Sequence, residues 1–173
     1  MKKQPAILRL LFVVLLCNLS AVCLSQINPT DSLPGDPGGM SVYTVQNLSF
    51  GAFTQGTSGG MVVISNTGVR SVTGTVIPLN LGVSYFQSIF DIDAPEGSII
   101  SIMNGPSTLL TGSNGGTMTM ELGPSSPASP FGTIVPQPIR TQVSIGGTLT
   151  VGNSTTSPPG TYTGTFYITF NQE

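Results

Sequence analysis

The chain has 173 residues, of which only 7% are charged: five lysine or arginine side chains against seven aspartate or glutamate side chains. It contains no histidine, no tryptophan and two cysteines. So little positive charge argues against a surface for nucleic acid or anionic lipid. With no histidine and only two cysteines, both near the amino terminus, the chain lacks the Ser-His-Asp and Cys-His catalytic arrangements and the usual zinc sites.

The amino-terminal stretch has the parts of a secretory signal peptide. Met1-Lys2-Lys3 is basic, residues 10–16 are apolar, and small residues precede Gln26. This apolar run is short for a membrane span. We predict cleavage after Ser25, which leaves roughly 150 residues, enough for one domain. Lipid attachment at Cys23 is the alternative.

Export changes what the rest of the chain can use for stability. Both cysteines, Cys17 and Cys23, leave with the predicted signal peptide at 1–25, so the mature chain has no disulfide. Its only cations are then Arg70 and Arg140. We therefore expect a secreted, extracellular or outer-surface protein, periplasmic in transit, that is held together by a packed core.

The mature chain divides into two parts. Residues 26–40 contain Pro29, Pro34 and Pro37 and show no hydrophobic period, which predicts a flexible Pro/Gly-rich lead-in. Residues 41–173 contain regularly spaced apolar runs without a helical period, which predicts one β-sandwich domain.

The sandwich is expected to be antiparallel and Ig-like, with about eight or nine strands; a barrel is the less favoured architecture. Asn66-Thr67-Gly68 predicts a hairpin turn between two strands, and Met61–Ile64 is apolar enough to be buried on both faces. The segments with a strand pattern are 42–53, 61–64, 69–77, 85–92, 99–103, 117–122, 143–151 and 159–171.

The most regular alternation lies at the carboxyl end, over 159–171. Aromatic and aliphatic residues share one face with Gly164, and threonines with Tyr167 cover the other. This pattern predicts a single long strand, which an earlier sheet must cover. Because the chain has so few charges, its edge strands have little protection against pairing with other chains.

The stretch 124–138 is rich in proline, which excludes it from a central strand. We predict a surface loop or an edge segment with polyproline character. A recognition role for this loop is the less favoured interpretation.

Three carboxylates form the one cluster that suggests chemistry. Asp91 and Asp93 share a strand face, and Glu96 follows across a turn, so the three are weak candidates for a calcium site. A solvated strand end is the favoured interpretation, since the spacing matches no EF-hand loop. We expect no catalytic residue, no cofactor and no metal. Arg70 is expected to form an exposed ion pair.

Several short motifs occur in a fixed order along residues 48–171. They are Leu48-Ser49-Phe50-Gly51-x-Phe53, Gly59-Gly60, Gly68-x-Arg70, Phe90-x-Ile92 with Ala94-Pro95-x-Gly97, Gly147-Thr148-Leu149-x-Val151-Gly152, and Pro159-Gly160-x-Tyr162-x-Gly164-x-Phe166. In this order they resemble the bacterial domain-of-unknown-function family 4402. The resemblance implies a secreted Ig-like β-sandwich distantly similar to fimbrial subunits and spore-coat-type pilins.

The predicted function is structural. We expect a non-catalytic, secreted or cell-surface protein, either a fimbria-like subunit or an adhesion-type sandwich, that self-assembles or joins other surface subunits by strand pairing. The segment from Val42 to Phe50 would have to take part in strand exchange. The alternative is a monomeric module that binds glycan or matrix through the 124–138 loop or the three carboxylates. We expect no nucleic acid partner and no membrane span in the mature chain.

Overall fold

The computed structural model describes residues 38–173, and every regular element among them is a β-strand in an antiparallel pair. Nine strands have five or more residues: β1 (Ser41–Gln46), β4 (Gly60–Ile64), β5 (Arg70–Gly74), β8 (Ser88–Asp93), β9 (Ile99–Asn104), β10 (Thr108–Gly112), β11 (Thr117–Ser126), β13 (Thr141–Val151) and β15 (Ile168–Gln172). Six have two residues: β2 (Ser49–Phe50), β3 (Phe53–Thr54), β6 (Ile77–Pro78), β7 (Tyr85–Phe86), β12 (Phe131–Gly132) and β14 (Tyr162–Thr163). The predicted all-β, antiparallel class is confirmed.

Strand β13 is the centre of the large sheet. One of its edges pairs with β11; the other pairs with β8 over Thr141–Ile145 and with β4 over Gly147–Val151. The sheet has the order β1-β8-β13-β11-β10-β14, with β5 on the outer edge of β4. The strand with the most neighbours in this fold is therefore β13, and not the carboxyl-terminal segment with the most regular alternation.

A small sheet of order β12-β9-β15 packs on the first half of β13. The two sheets meet in a buried cluster formed by Phe90, Ile92, Ala94, Ile100, Val143 and Ile145. Side chains of β15 reach this cluster from its edge and are only partly buried. Two sheets that pack face to face through alternate side chains are the arrangement expected of a sandwich.

The second half of β13 contributes to another buried cluster. It consists of Val62, Val76, Leu110, Met118, Met120, Leu149 and Val151. No continuous sheet covers this cluster within the described residues; it is covered by partly buried side chains such as Leu48, Phe50 and Phe53, on and beside the short pairs β2-β7 and β3-β6. This half of the core is therefore enclosed by short strand pairs and connecting segments instead of a second continuous sheet.

The predicted terminal strand is divided between the two sheets, so the prediction of one strand over 159–171 was wrong. β14 pairs with β10 in the large sheet, and β15 pairs with β9 in the small one. Residues 164–167 cross from one to the other. Gly164 permits the close approach, since a Cβ there would lie 3.0 Å from the carbonyl oxygen of Leu109.

Of three local predictions, one is confirmed and two are corrected by the structure. The hairpin across residues 66–68 is confirmed, with Ile64 opposite Arg70. Met61 is 45% exposed, so β4 is not buried on both faces. The Pro-rich stretch is not all loop, because β11 continues through Pro124 to Ser126. A register shift between Leu122 and Ser125 marks a bulge, where proline is tolerated.

The predicted signal peptide (1–25), the alternative lipidation at Cys23 and nearly all of the lead-in (26–40) fall outside the described residues. Between residues 38 and 173, no helix has the length and apolar character needed to cross a membrane.

Candidate functional site

The three predicted carboxylates do not form a centre. Asp91 and Asp93 lie half-buried on β8, while Glu96 is exposed in the following turn. One carboxylate oxygen of Asp93 is buried without a hydrogen-bond partner. Within the described part of the chain, no three acidic, histidine or cysteine side chains are grouped closely enough to hold a metal ion. We therefore base no function on these residues.

Arg70 holds chain segments together through contacts other than the expected ion pair. Its guanidinium lies over the ring of Tyr85, 4.3 Å from the ring centroid. The same group donates hydrogen bonds to the carbonyl oxygens of Phe50 (3.4 Å) and Ala52 (3.2 Å). Arg70 thus fixes the segment between β2 and β3 against β5 and β7. No carboxylate is needed for this arrangement.

A groove lies beside β15. Its first cavity, of about 600 Å³, lies between β1 and the segment 164–170 and reaches the ring of Phe90. The cavity is open to solvent. The side chain of Val42 on β1 faces the cavity and is still 37% exposed. A strand face that points inward but has no cover leaves apolar surface in water.

The groove continues past Leu48 into a second cavity of about 730 Å³. The two cavities share Leu48, Gly164 and Phe166. The second is lined by core side chains such as Met118 and Met120 and by residues 158–164 on one side. Among the described residues, none that lines either cavity is charged. Burying an unpaired charge in such a groove would be costly, so it suits an apolar, uncharged occupant.

The backbone of β15 offers hydrogen-bonding groups along this groove. The amide of Glu173 donates to Ile99, and the carbonyl of Tyr167 accepts from Gly105, both at 2.9 Å. In an antiparallel pair these bonds alternate along the strand. The odd-numbered residues therefore pair with β9. The N–H and C=O groups of Ile168, Phe170 and Gln172 point to the other edge of β15, which has no partner strand among residues 38–173 and is called the free edge.

The other free edges of the described sheets are protected, and those of β1 and β15 are not. β12 and β14 have two residues each, directly after Pro130 and soon after Pro158-Pro159. β5 carries Arg70. Short length, proline and charge are the usual devices that prevent edge pairing. Neither β1 nor β15 contains a proline or a charged side chain.

Tyr162 lines the second cavity. Its hydroxyl donates a hydrogen bond to the carbonyl oxygen of Pro158, at 2.6 Å. Burial raises the pKa of this phenol above its usual value, because the charged form would lose contact with water. The residue therefore stays neutral, and its hydrogen bond to Pro158 stabilises the segment 158–164 that lines the groove.

Sequence reasoning did not locate the groove, although it identified parts of its rims. The alternation over 159–171 and the involvement of Val42–Phe50 were both recognised. The groove also requires that the edge strands of two different sheets, β1 and β15, lie on the same side of the molecule. No local sequence pattern indicates this arrangement. The absence of charge and proline from β1 and β15 is the signal that the sequence offers.

Comparisons with known proteins agree with the order of the motifs. No curated protein and no solved structure matches the chain. The family described as a domain of unknown function, DUF4402, matches residues 40–171, which covers β1 to β15 almost completely. The chain therefore belongs to the DUF4402 family.

Proposed function

We propose that this protein is a non-catalytic structural subunit of the cell surface or extracellular space, fimbria-like or adhesion-type, that assembles through its sheet edges. The observation that carries the proposal is the apolar groove between the unprotected edges of β1 and β15. A free strand edge binds another strand through backbone hydrogen bonds, and the groove side chains select which strand fits.

The chemistry of the groove supports a binding role over a catalytic one. Its titratable side chains are tyrosines, Tyr162 and Tyr167, and the described lining lacks the paired acid and base that proton transfer requires. Its walls are mostly apolar, which suits the packing of alternate side chains of an extended strand.

Cell fractionation tests the location. The proposal predicts that the protein is recovered from the outer surface or the medium, with its amino terminus shortened to a residue near Gln26. Recovery of an unprocessed protein from the cytoplasm would contradict it.

Surface labelling of exported protein tests the assembly. A cysteine placed at Val45, which is 56% exposed on β1, should react with a thiol reagent in the purified protein and be shielded on cells. The matched control is a cysteine at Ile134, which is 83% exposed and far from both rims in sequence. Equal labelling of the two positions on cells would argue against edge assembly and favour the monomeric glycan- or matrix-binding alternative.

A further inference from the structure

We propose that the partner at this groove is a second copy of the same chain, joined by pairing of β15 with β15 and of β1 with β1 about a two-fold axis. The inference rests on the proposed function, since it names the partner of the same site. Five observations carry it: two unprotected edges, their position on one groove, their membership of two different sheets, the free backbone groups of β15 and the absence of charge from the described lining.

The first step concerns how many strands the groove needs. β1 is the last strand of the large sheet and β15 the last of the small one, and these sheets pack face to face. Packed sheets lie about 10 Å apart, while paired strands lie about 4.8 Å apart. One inserted strand can therefore pair with β1 or with β15, but it cannot pair with both along their whole length. Two partner strands are needed, held at the same separation.

The second step is that another copy supplies such a pair. A two-fold axis perpendicular to the sheets brings β15 beside β15 of the second copy and β1 beside its own equivalent. Identical strands related in this way are antiparallel, which is the pairing used throughout this fold. Both sheets then become continuous across the interface, and each groove is closed by the other copy.

The third step fixes the register of β15. Its free groups belong to the even-numbered residues, and the longest overlap places Phe170 opposite Phe170 of the second copy. Ile168 then lies opposite Gln172 of that copy. These are the hydrogen-bonded positions of the new pair. The side chains of Ile168 and Phe170 line the groove, whereas the side-chain amide of Gln172 donates hydrogen bonds to Gly38 and Ser98. Thr169 is exposed on the outer face of β15.

The fourth step concerns electrostatics. Each copy carries more carboxylates than cations, so two copies repel each other at long range. No charged residue lies in β1, in residues 164–172 or in the described groove lining, although charges border this region: Arg140 lies over the ring of Tyr43 on β1, and Glu173 follows Gln172. Salt should therefore strengthen the association modestly by screening the remaining surfaces.

The test measures the mass of the processed protein, purified from cells that express the full chain, by light scattering over a range of concentrations. The expected result is a reversible dimer. In Thr169→Lys the two introduced charges become diagonal neighbours in the new strand pair, about 7 to 8 Å apart, and repel each other. The dimer should weaken at least tenfold, and Thr169→Glu should act in the same way.

Mixing the two variants gives the decisive result. A Thr169→Lys chain paired with a Thr169→Glu chain replaces repulsion by attraction, so the mixture should form a heterodimer at concentrations where each variant alone is monomeric. The control is Thr73→Lys, an exposed position on the edge strand β5, which should dimerise like the unmodified protein. A urea midpoint close to that of the unmodified protein establishes that each variant is folded.

Two results would overturn the inference. The unmodified protein could stay monomeric at every concentration, which would exclude a second copy as the partner while leaving the surface role to the fractionation test. Alternatively, it could dimerise with Thr169→Lys and Thr169→Glu both unaffected, which would place the interface elsewhere.

Discussion

The ring of Phe170 on β15 meets the ring of Phe90 on β8 edge to face, with centroids 5.4 Å apart and planes inclined by 60°. This contact ties the edge strand of the small sheet to the second strand of the large one. It also forms part of the groove lining, because both rings border the first cavity. The same pair of residues therefore supports the fold and shapes the proposed interface.

Replacing Phe170 with alanine tests that contact. The change removes a half-buried ring and its aromatic partner, so we expect the free energy of unfolding to fall by about 2 to 3 kcal/mol. The control is Tyr167→Ala, whose ring is 71% exposed and should contribute within about 0.5 kcal/mol. Urea unfolding of both variants measures the difference. Equal losses would mean that the Phe90 contact adds no stability.

Arg70 and Arg140 allow a matched comparison of two cations over tyrosine rings. Arg70 also binds two carbonyl oxygens, whereas Arg140 is exposed and lies 3.9 Å from the centroid of Tyr43. Lysine keeps the charge but not the planar fork of donors. Arg70→Lys should therefore cost about 1 to 2 kcal/mol of stability and Arg140→Lys about 0.5 kcal/mol or less. Urea unfolding of the two variants gives both values, and a larger loss at Arg140 would refute the assigned anchoring role of Arg70.

Gly146 lies where β13 changes partner from β8 to β4. A Cβ at this position would collide with the carbonyl oxygen of Ile64, which is backbone and cannot turn aside. Gly146→Ala should lower the free energy of unfolding by about 2 to 3 kcal/mol. In the neighbouring strand Gly123 has room, with its nearest contact at 3.6 Å, so Gly123→Ala should change stability by less than about 1 kcal/mol. Thermal unfolding of the two proteins provides the comparison.

The raised pKa of Tyr162 predicts a loss of stability in alkali. Between the pKa of the unfolded chain, about 10, and the higher folded value, the folded protein keeps a proton that the unfolded chain has lost. The contribution of Tyr162 is thus complete below about pH 10 and disappears as the pH rises through the folded pKa. Urea midpoints from about pH 9 to about pH 11 should fall less steeply in Tyr162→Phe. If the urea midpoint falls with pH equally steeply in both proteins, the phenol of Tyr162 has the same pKa in the folded and unfolded chains.

Much of the fold could be predicted from the sequence, because period-two alternation reports directly on strands. The hairpin at 66–68 follows from turn chemistry, and nine long strands fit the expected number. What local patterns could not show was how strands are shared between sheets. The alternation from Tyr162 to Phe170 continues unbroken while the chain changes sheets at Gly164. The central position of β13 likewise depends on partners that are 18 (Ser126–Ser144) to 91 (Gly60–Val151) residues away in the chain.

The candidate site was harder to predict than the fold for a related reason. Charged residues attract attention in a chain that has few of them, and they pointed to Asp91, Asp93 and Glu96. The groove is built from ordinary core side chains and from backbone groups on a free strand edge. Their one trace in residue type is the lack of charge and proline in β1 and β15. The free edge itself becomes visible only when the pairing of β15 with β9 is known.

Amide hydrogen exchange along β15 tests the central claim most directly, since it reports on the backbone groups themselves. Thr169 and Asn171 pair with β9 and should be protected at every protein concentration. The amides of Ile168 and Phe170 face the free edge; they should exchange fast in dilute protein and become protected as the concentration rises. Fast exchange of Ile168 and Phe170 at all concentrations, with Thr169 and Asn171 protected, would contradict pairing of this edge with a second copy.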